Sequence, residues 1–208
     1  MKDFFNRSEK RKDIIFSTLI FVLGVILGTI SKILDSTPSN LLPSFLEVLD
    51  LRNFFSRIGI WLFFGVLLSV YSKSPVRSAV NVFLFFAGMV ASYYAYTIMI
   101  AGFFPKSYMM IWMMLTILSP IFAFICWYAK REGIFGNIIS SIIIMFISRQ
   151  AFAFGYWYFD IRYVLEFIIW IAVILILYRS PKQTIWMITI GMLLYFLTAQ
   201  INLLWGML

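Results

Sequence analysis

The residues of this sequence best suited to chemistry are charged side chains that lie inside long apolar runs. Arg149 ends one such run, Glu166 lies early in the next, and Gln150 and Asp160 lie between them. A charge at the centre of a bilayer costs about 2.5 to 3.5 kcal/mol, so each of these groups needs a partner, water or a ligand. Arg149 is suited to an anionic group on a ligand, with Glu166 as its resting partner.

Other chemistry is limited by the residue types available. The sequence has no histidine and a single cysteine, Cys126, which excludes His-centred catalysis, a zinc site of the usual N/S kind and an internal disulfide. Serine nucleophiles would find no base nearby except Lys73 and the acids. The serines considered are Ser69, Ser72, Ser140 and Ser141. We therefore expect no enzyme activity, no cofactor and no bound metal.

Composition places these residues in an integral membrane protein. Of 208 residues, 62% are hydrophobic and only 12% are charged, which is too apolar for a water-soluble domain. The formal net charge of +8 arises from short basic segments between apolar runs, so we interpret these segments as topology signals and expect no nucleic acid partner. The predicted fold is all-α, a polytopic bundle forming one transmembrane domain over residues 1–208.

Seven apolar runs approach the roughly 20 residues that a bilayer requires. They cover about 14–34, 57–71, 75–102, 106–128, 133–150, 161–178 and 184–205. The second is short, and the fifth could break near Arg149, so six spans is the alternative. Residues 1–13 form a basic tail, and 36–56 form a loop with a short amphipathic helix that suits a membrane surface. The alternative role for this loop is a lid over an outward-facing cavity.

Basic residues alternate between the two predicted sides of the membrane. With the N-terminus in the cytoplasm, eleven Lys and Arg fall on the inner side and six on the outer side, and every inner turn has a basic pair. This predicts a multi-pass plasma-membrane protein with its C-terminus outside.

Polar residues of several spans then reach the outer half of the bundle. The candidate ligand-binding residues are Arg149, Glu166, Gln150, Asp160, Tyr93, Tyr96, Gln200 and Asn202. One interpretation is a water-accessible pocket lined by aromatic rings and a few polar groups. The other is a set of interfacial anchors and ion pairs that close the bundle, for instance Arg149 with Glu166.

Small residues recur at helical spacing in two spans. Gly24 and Gly28 form a GxxxG pair, which we interpret as close helix packing within the bundle rather than dimerisation. A polar stripe in the third span has the same interpretation. It consists of Ser78, Asn81, Gly88, Ser92 and Tyr96.

Two segments carry a resemblance to a known family. The first segment is LRNFFSRIGIWLF, and the second is SKSP followed by NVFLFFAGMVASYYAYT. Through them the chain resembles small integral membrane proteins of Gram-positive bacteria that have no assigned function, mainly over residues 32–97. This resemblance implies no ligand residues. In size and build the chain also looks like the substrate-binding subunits of energy-coupling-factor vitamin transporters, which have six spans, and no vitamin-site motif is present.

Together these observations predict a binding or transport component for a small or lipid-like molecule. The alternative is a structural or accessory subunit of a membrane complex that has no ligand of its own. The expected partners are the bilayer, a small-molecule or lipid ligand and a membrane partner subunit.

Overall fold

The computed structural model describes residues 2–38, 43–102, 106–155 and 157–199. Over these residues the chain is helical except for one two-stranded antiparallel hairpin. The helices are α1 (Lys2–Ser36), α2 (Ser44–Val48), α3 (Leu51–Ser56), α4 (Ile58–Val70), α5 (Pro75–Tyr96), α6 (Lys106–Cys126), α7 (Ile134–Ala151), α8 (Val164–Leu177) and α9 (Pro181–Ala199). A π-helical turn, Thr97–Ala101, extends α5, and a 3₁₀ turn, Trp127–Lys130, extends α6. The strands are β1 (Phe152–Gly155) and β2 (Tyr158–Ile161).

Long helices that are successive in the chain alternate in direction. Ser17, in the middle of α1, bonds Asn81, and Asp35, near the C-terminal end of α1, bonds Tyr93, so α1 and α5 run in parallel. In the same way α7 runs parallel to α9, because Asn137 lies beside Arg179 and Arg149 beside Thr198. Helices α4, α6 and α8, which lie between these helices in the chain, run in the opposite direction.

This alternation separates two ends, which carry different residues. We call the end with Asp13, Lys73, Arg131 and Arg179 the basic end. The opposite end, with Arg57, Tyr93, Arg149 and Glu166, is called the tyrosine end.

Glycines bring α1 and α5 into backbone contact. A Cβ at Gly24 would overlap the carbonyl of Phe85, and one at Gly28 would overlap that of Met89. On the facing helix, a Cβ at Gly88 would lie 2.5 Å from the carbonyl oxygen of Phe21. The packing role predicted for the GxxxG pair is confirmed, and it explains why no side chain is present at these points.

The polar stripe of α5 is also used in packing. Ser78 donates to the carbonyl of Ala123 at 2.8 Å, and the Asn81 amide lies between Ser17 and Ser72 at 2.9 and 3.1 Å. Because each of these polar atoms finds a partner on a neighbouring element, the stripe holds helices together. The N-terminus of α5 is capped by Ser74, whose hydroxyl accepts from the Arg77 amide, and Pro75 follows at the first position, where its missing N–H costs nothing.

Helix α4 lies in the interior of the bundle. None of its 13 residues is exposed, and it packs against α5, α6, α7 and α8. Five of its residues are buried and the others are partly buried, as expected for a helix that is apolar on all sides and packs inside a bundle.

Four helical segments are long and apolar enough to cross a membrane. They are Arg11–Ser36, Pro75–Ile100, Lys106–Lys130 and Ile134–Ala151. The helices found at the predicted second and sixth spans are short. Helix α4, at the second, has 13 residues, and α8, at the sixth, has 14. Each is only about 20 Å long, against about 30 Å for a bilayer core.

A β-hairpin accounts for the shortness of α8, and the sequence analysis did not foresee it. Strands β1 and β2 pair from Phe152 with Ile161 to Gly155 with Tyr158, so the chain enters α8 only at Val164. Aromatic and β-branched residues dominate these strands, which is the composition that favours strand pairing. The single loop helix predicted within 36–56 is two short helices, α2 and α3.

We expect Gly24→Ala to destabilise the protein by roughly 1 to 3 kcal/mol, because the methyl group forces the α1 and α5 backbones apart. Gly65→Ala is the matched control. A Cβ there meets only the Phe86 ring, at 3.7 Å, so the change should be nearly neutral. Denaturant unfolding in detergent measures both, and equal stability of the two variants would contradict the packing role.

Candidate functional site

The tyrosine end contains a buried ion pair between α4 and α8. Glu166 lies in the first turn of α8 and is fully buried, and its Oε1 accepts from Nε of Arg57 at the start of α4. Arg57 also donates to Asp50 at 3.0 Å, and its guanidinium stacks 3.8 Å from the centre of the Tyr163 ring. This arginine therefore joins the loop before α3, helix α4 and the entry to α8.

The predicted partner of Glu166 was wrong. Its carboxylate is held by Arg57, whereas Arg149 donates to the backbone carbonyl of Thr198 on α9 at 2.5 Å. Arg149 ends α7 on the side that packs against α9, whereas Glu166 faces α4. The next residue, Gln150, does approach Glu166. A Cβ at Gly59 would lie 3.5 Å from the side chains of both Gln150 and Glu166.

A second polar group lies between the ends of α1 and α5. Lys32 is 5% exposed, and its ammonium bonds Asp35 at 2.7 Å. The same Asp35 oxygen accepts from the Tyr93 hydroxyl at 3.1 Å, and the Lys32 ammonium lies 5.0 Å from the centre of the Tyr93 ring. The predicted site residue Tyr93 thus belongs to this group and not to the Glu166 pair.

An aromatic cleft adjoins Tyr93. It has a volume of about 20 Å³, which is room for roughly one water molecule. Its lining comes from α1, α3, α4, α5 and α6: Ser31, Phe55, Ser56, Trp61, Met89, Val90, Tyr93, Tyr94, Tyr108 and Trp112. Tyr108 is the exposed member of this set.

One polar atom of the cleft lining is unsatisfied. Tyr94 is 6% exposed, and its hydroxyl has no hydrogen-bond partner. The carbonyl of Phe55, by contrast, accepts from Trp61 at 3.0 Å and from Ser31 at 3.4 Å. A buried tyrosine hydroxyl normally finds a partner, so the Tyr94 hydroxyl is the polar group of this lining whose hydrogen-bonding capacity is unused within the described residues.

The remaining predicted site residues are not brought to the cleft. Tyr96 is half-buried on α5 and is not part of the lining. Asp160 lies on the exposed strand β2, where its carboxylate accepts from the Ile161 amide at 2.7 Å. Gln200 and Asn202 lie outside the described residues.

Several residues of this end were not among the predicted candidates. Arg57 begins a span on the same predicted side as Glu166, so span parity alone made it as good a partner as Arg149. Apolar periodicity does not distinguish aromatic side chains that line a cleft from those that fill a core. The residues missed for this reason are Tyr94, Tyr108, Trp61 and Trp112. An i, i+4 pair of large aromatics at the start of α6, Tyr108 and Trp112, was the available signal.

No protein family, no curated protein and no solved structure matches this chain. The resemblance to the Gram-positive membrane family stays a prediction. In the part of the chain that the structure describes, no three acidic or thiol side chains lie close enough together to hold a metal ion.

We expect Arg57→Met to cost about 3 to 5 kcal/mol, because it leaves the Glu166 carboxylate buried without its cation. The double variant Arg57→Met, Glu166→Met should recover part of that loss. A double-mutant cycle on unfolding free energies in detergent measures this coupling, which we expect at roughly 1 to 3 kcal/mol.

The matched cycle uses Arg149→Met with Glu166→Met, and it should be additive within about 0.5 kcal/mol. Strong coupling in this second cycle, with none in the first, would contradict the observed pairing.

Proposed function

We propose that this chain is a multi-pass plasma-membrane protein that binds a small or lipid-like molecule in the aromatic cleft of the tyrosine end, as a binding or transport component. The observation that supports this proposal is the buried Tyr94 hydroxyl, which has no partner and lines a cleft of tyrosine and tryptophan rings. Small-molecule sites are typically apolar and aromatic, with a few polar groups that orient the ligand.

The proposed topology has seven spans, with the N-terminus in the cytoplasm and the tyrosine end outside. Support comes from the alternating direction of α1, α4, α5, α6, α7, α8 and α9, and from the collection of Lys73, Arg131 and Arg179 at one end. Helix α4 can be shorter than a bilayer because it packs against α5, α6, α7 and α8 and exposes none of its residues.

Helix α3 acts as a lid in this proposal. Phe55 and Ser56 come from α3 and form one wall of the cleft, so a ligand larger than water requires α3 to move. The helix lies between two breaks in helical geometry, a left-handed Asp50 with φ of 51° and an extended Arg57 with ψ of 152°. The Asp50–Arg57 ion pair joins these two breaks and holds the lid closed.

The second candidate function is a structural or accessory subunit without a ligand. The observation that favours it is the Arg57–Glu166 ion pair, in which the carboxylate is buried and the arginine side chain is 17% exposed. A charge pair of this kind stabilises one arrangement of helices without binding anything.

Reporter fusions test the topology. A fusion after Tyr128 should report a cytoplasmic position and a fusion at Leu208 an extracytoplasmic one, because three spans separate them. The same side for both would contradict seven spans.

Tyr94→Phe tests the ligand site. If a ligand bonds the Tyr94 hydroxyl, the variant should retain a co-purifying small or lipid-like species about two- to tenfold less well, since one hydrogen bond contributes about 0.5 to 1.5 kcal/mol. Mass spectrometry of the protein purified in mild detergent measures the retained species.

Tyr96→Phe is the matched control on the same helix, because Tyr96 does not line the cleft. It should retain the species as the unmodified protein does. Equal retention by both variants, or no retained species in the unmodified protein, would favour the subunit without a ligand.

A further inference from the structure

The basic end contains two groups of cations that differ in how they are neutralised. The first group, Lys73 and Arg77, pairs with acids of α1: Lys73 bonds Asp13 at 2.9 Å and Glu9 at 3.4 Å, and Arg77 bonds Asp13 at 2.9 Å. The bond to Asp13 raises the pKa of the Lys73 ammonium above its usual value, as expected for a satisfied cation.

The second group lies where α6 turns into α7 and α8 turns into α9. It comprises Lys130, Arg131, Arg179 and Lys182. None of the four forms a salt bridge within the described residues. The one acid in these turns is the exposed Glu132, so the second group keeps an excess of positive charge.

Arg179 connects the two turns of this group. Its Nη1 donates to the Arg131 carbonyl and its Nη2 donates to the Asn137 side chain at 2.7 Å, while its Nε is buried without a partner. Burial lowers the pKa of the Arg179 guanidinium, and the Glu132 carboxylate opposes that shift. The guanidinium is thus held in place by neutral acceptors, and its charge is not balanced by a bonded anion.

Two further features describe this place: one attracts an anion, and the other is typical of a membrane interface. Helices α7 and α9, of 18 and 19 residues, are parallel, and both begin here, so the positive ends of two helix dipoles add to the side-chain charge. The Arg131 guanidinium lies over the rings of Trp127 and Tyr128, and the Lys130 ammonium over Tyr71, as cations do at a membrane interface.

We infer that Arg131 and Lys182, at the start of α7 and α9, bind the phosphate of an anionic phospholipid, with Arg179 as a positioning residue. Arg131 and Lys182 are exposed and contact the phosphate, and Arg179 positions Arg131 through its carbonyl. The ends of membrane helices place this group at headgroup depth, where a lipid phosphate is the abundant anion. The inference does not depend on the cleft at the opposite end.

The test uses the full-length protein in nanodiscs of phosphatidylcholine, with and without phosphatidylglycerol. Native mass spectrometry counts the retained phosphatidylglycerol. Arg131→Gln with Lys182→Gln should weaken its retention about thirtyfold, because each surface cation contributes about 1 kcal/mol toward an anionic lipid.

Lys73→Gln with Arg77→Gln removes the same charge from the neutralised group and is the matched control. It should change retention less than about threefold, although it lowers the unfolding temperature because Asp13 loses its partners. Equal loss in both double variants, or no phosphatidylglycerol retained by the unmodified protein, would overturn the inference.

Inorganic phosphate provides a further arm. Displacement of phosphatidylglycerol only at phosphate concentrations far above those of the lipid agrees with a headgroup site. Displacement at equal concentration would assign the site to a free phosphate compound and overturn the lipid assignment. Correct folding of each variant is verified by its elution as a single species in size-exclusion chromatography.

Discussion

The backbone contact between α1 and α5 is the constraint on which the rest of the bundle depends. Gly24, Gly28 and Gly88 allow the two helices to run side by side and in the same direction. Parallel neighbours force the chain between them to return, and α4 does so through the interior. The same contact sets the axial register: it places Asp13 beside Lys73 and Arg77 at the basic end, and Asp35 beside Tyr93 at the tyrosine end. A shift of α1 by one turn would separate Asp13 from its cations and Asp35 from the Tyr93 hydroxyl.

The aromatic cleft follows from this register and from the break between α3 and α4. The α1–α5 contact brings Ser31 near Tyr93 and Tyr94, and α6 contributes Tyr108 and Trp112. Helix α3 supplies Phe55 and Ser56 to the same lining. Arg57, the residue that follows α3, bonds both Asp50 and the buried Glu166, so the position of α3 and the ion pair depend on the same side chain.

Sequence reasoning predicted those features that depend on one helix at a time. The glycine pair of the first span and the polar stripe of the third are local properties, and the structure agrees with their predicted packing role. The choice between Arg57 and Arg149 as the partner of Glu166 depends on which helices are neighbours, and periodicity carries no such information. The β-hairpin was missed because its aromatic residues also suit a membrane interface. The second run was recognised as short, but apolar run length alone did not show that α4 packs against four other helices.

Helix α8 differs from α4 in exposing one row of apolar side chains. The row consists of Val164, Ile168, Ile171 and Leu175. This row extends over only about three turns, or roughly 16 Å, which is little more than half the thickness of a bilayer core. In a membrane, this row would lie beside the exposed aromatic residues of the hairpin, among them Trp157 and Phe159, whereas α1 presents one full-length apolar helix. The apolar surface offered to lipid would therefore come from a single helix on the α1 side and from a short helix together with a hairpin on the α8 side.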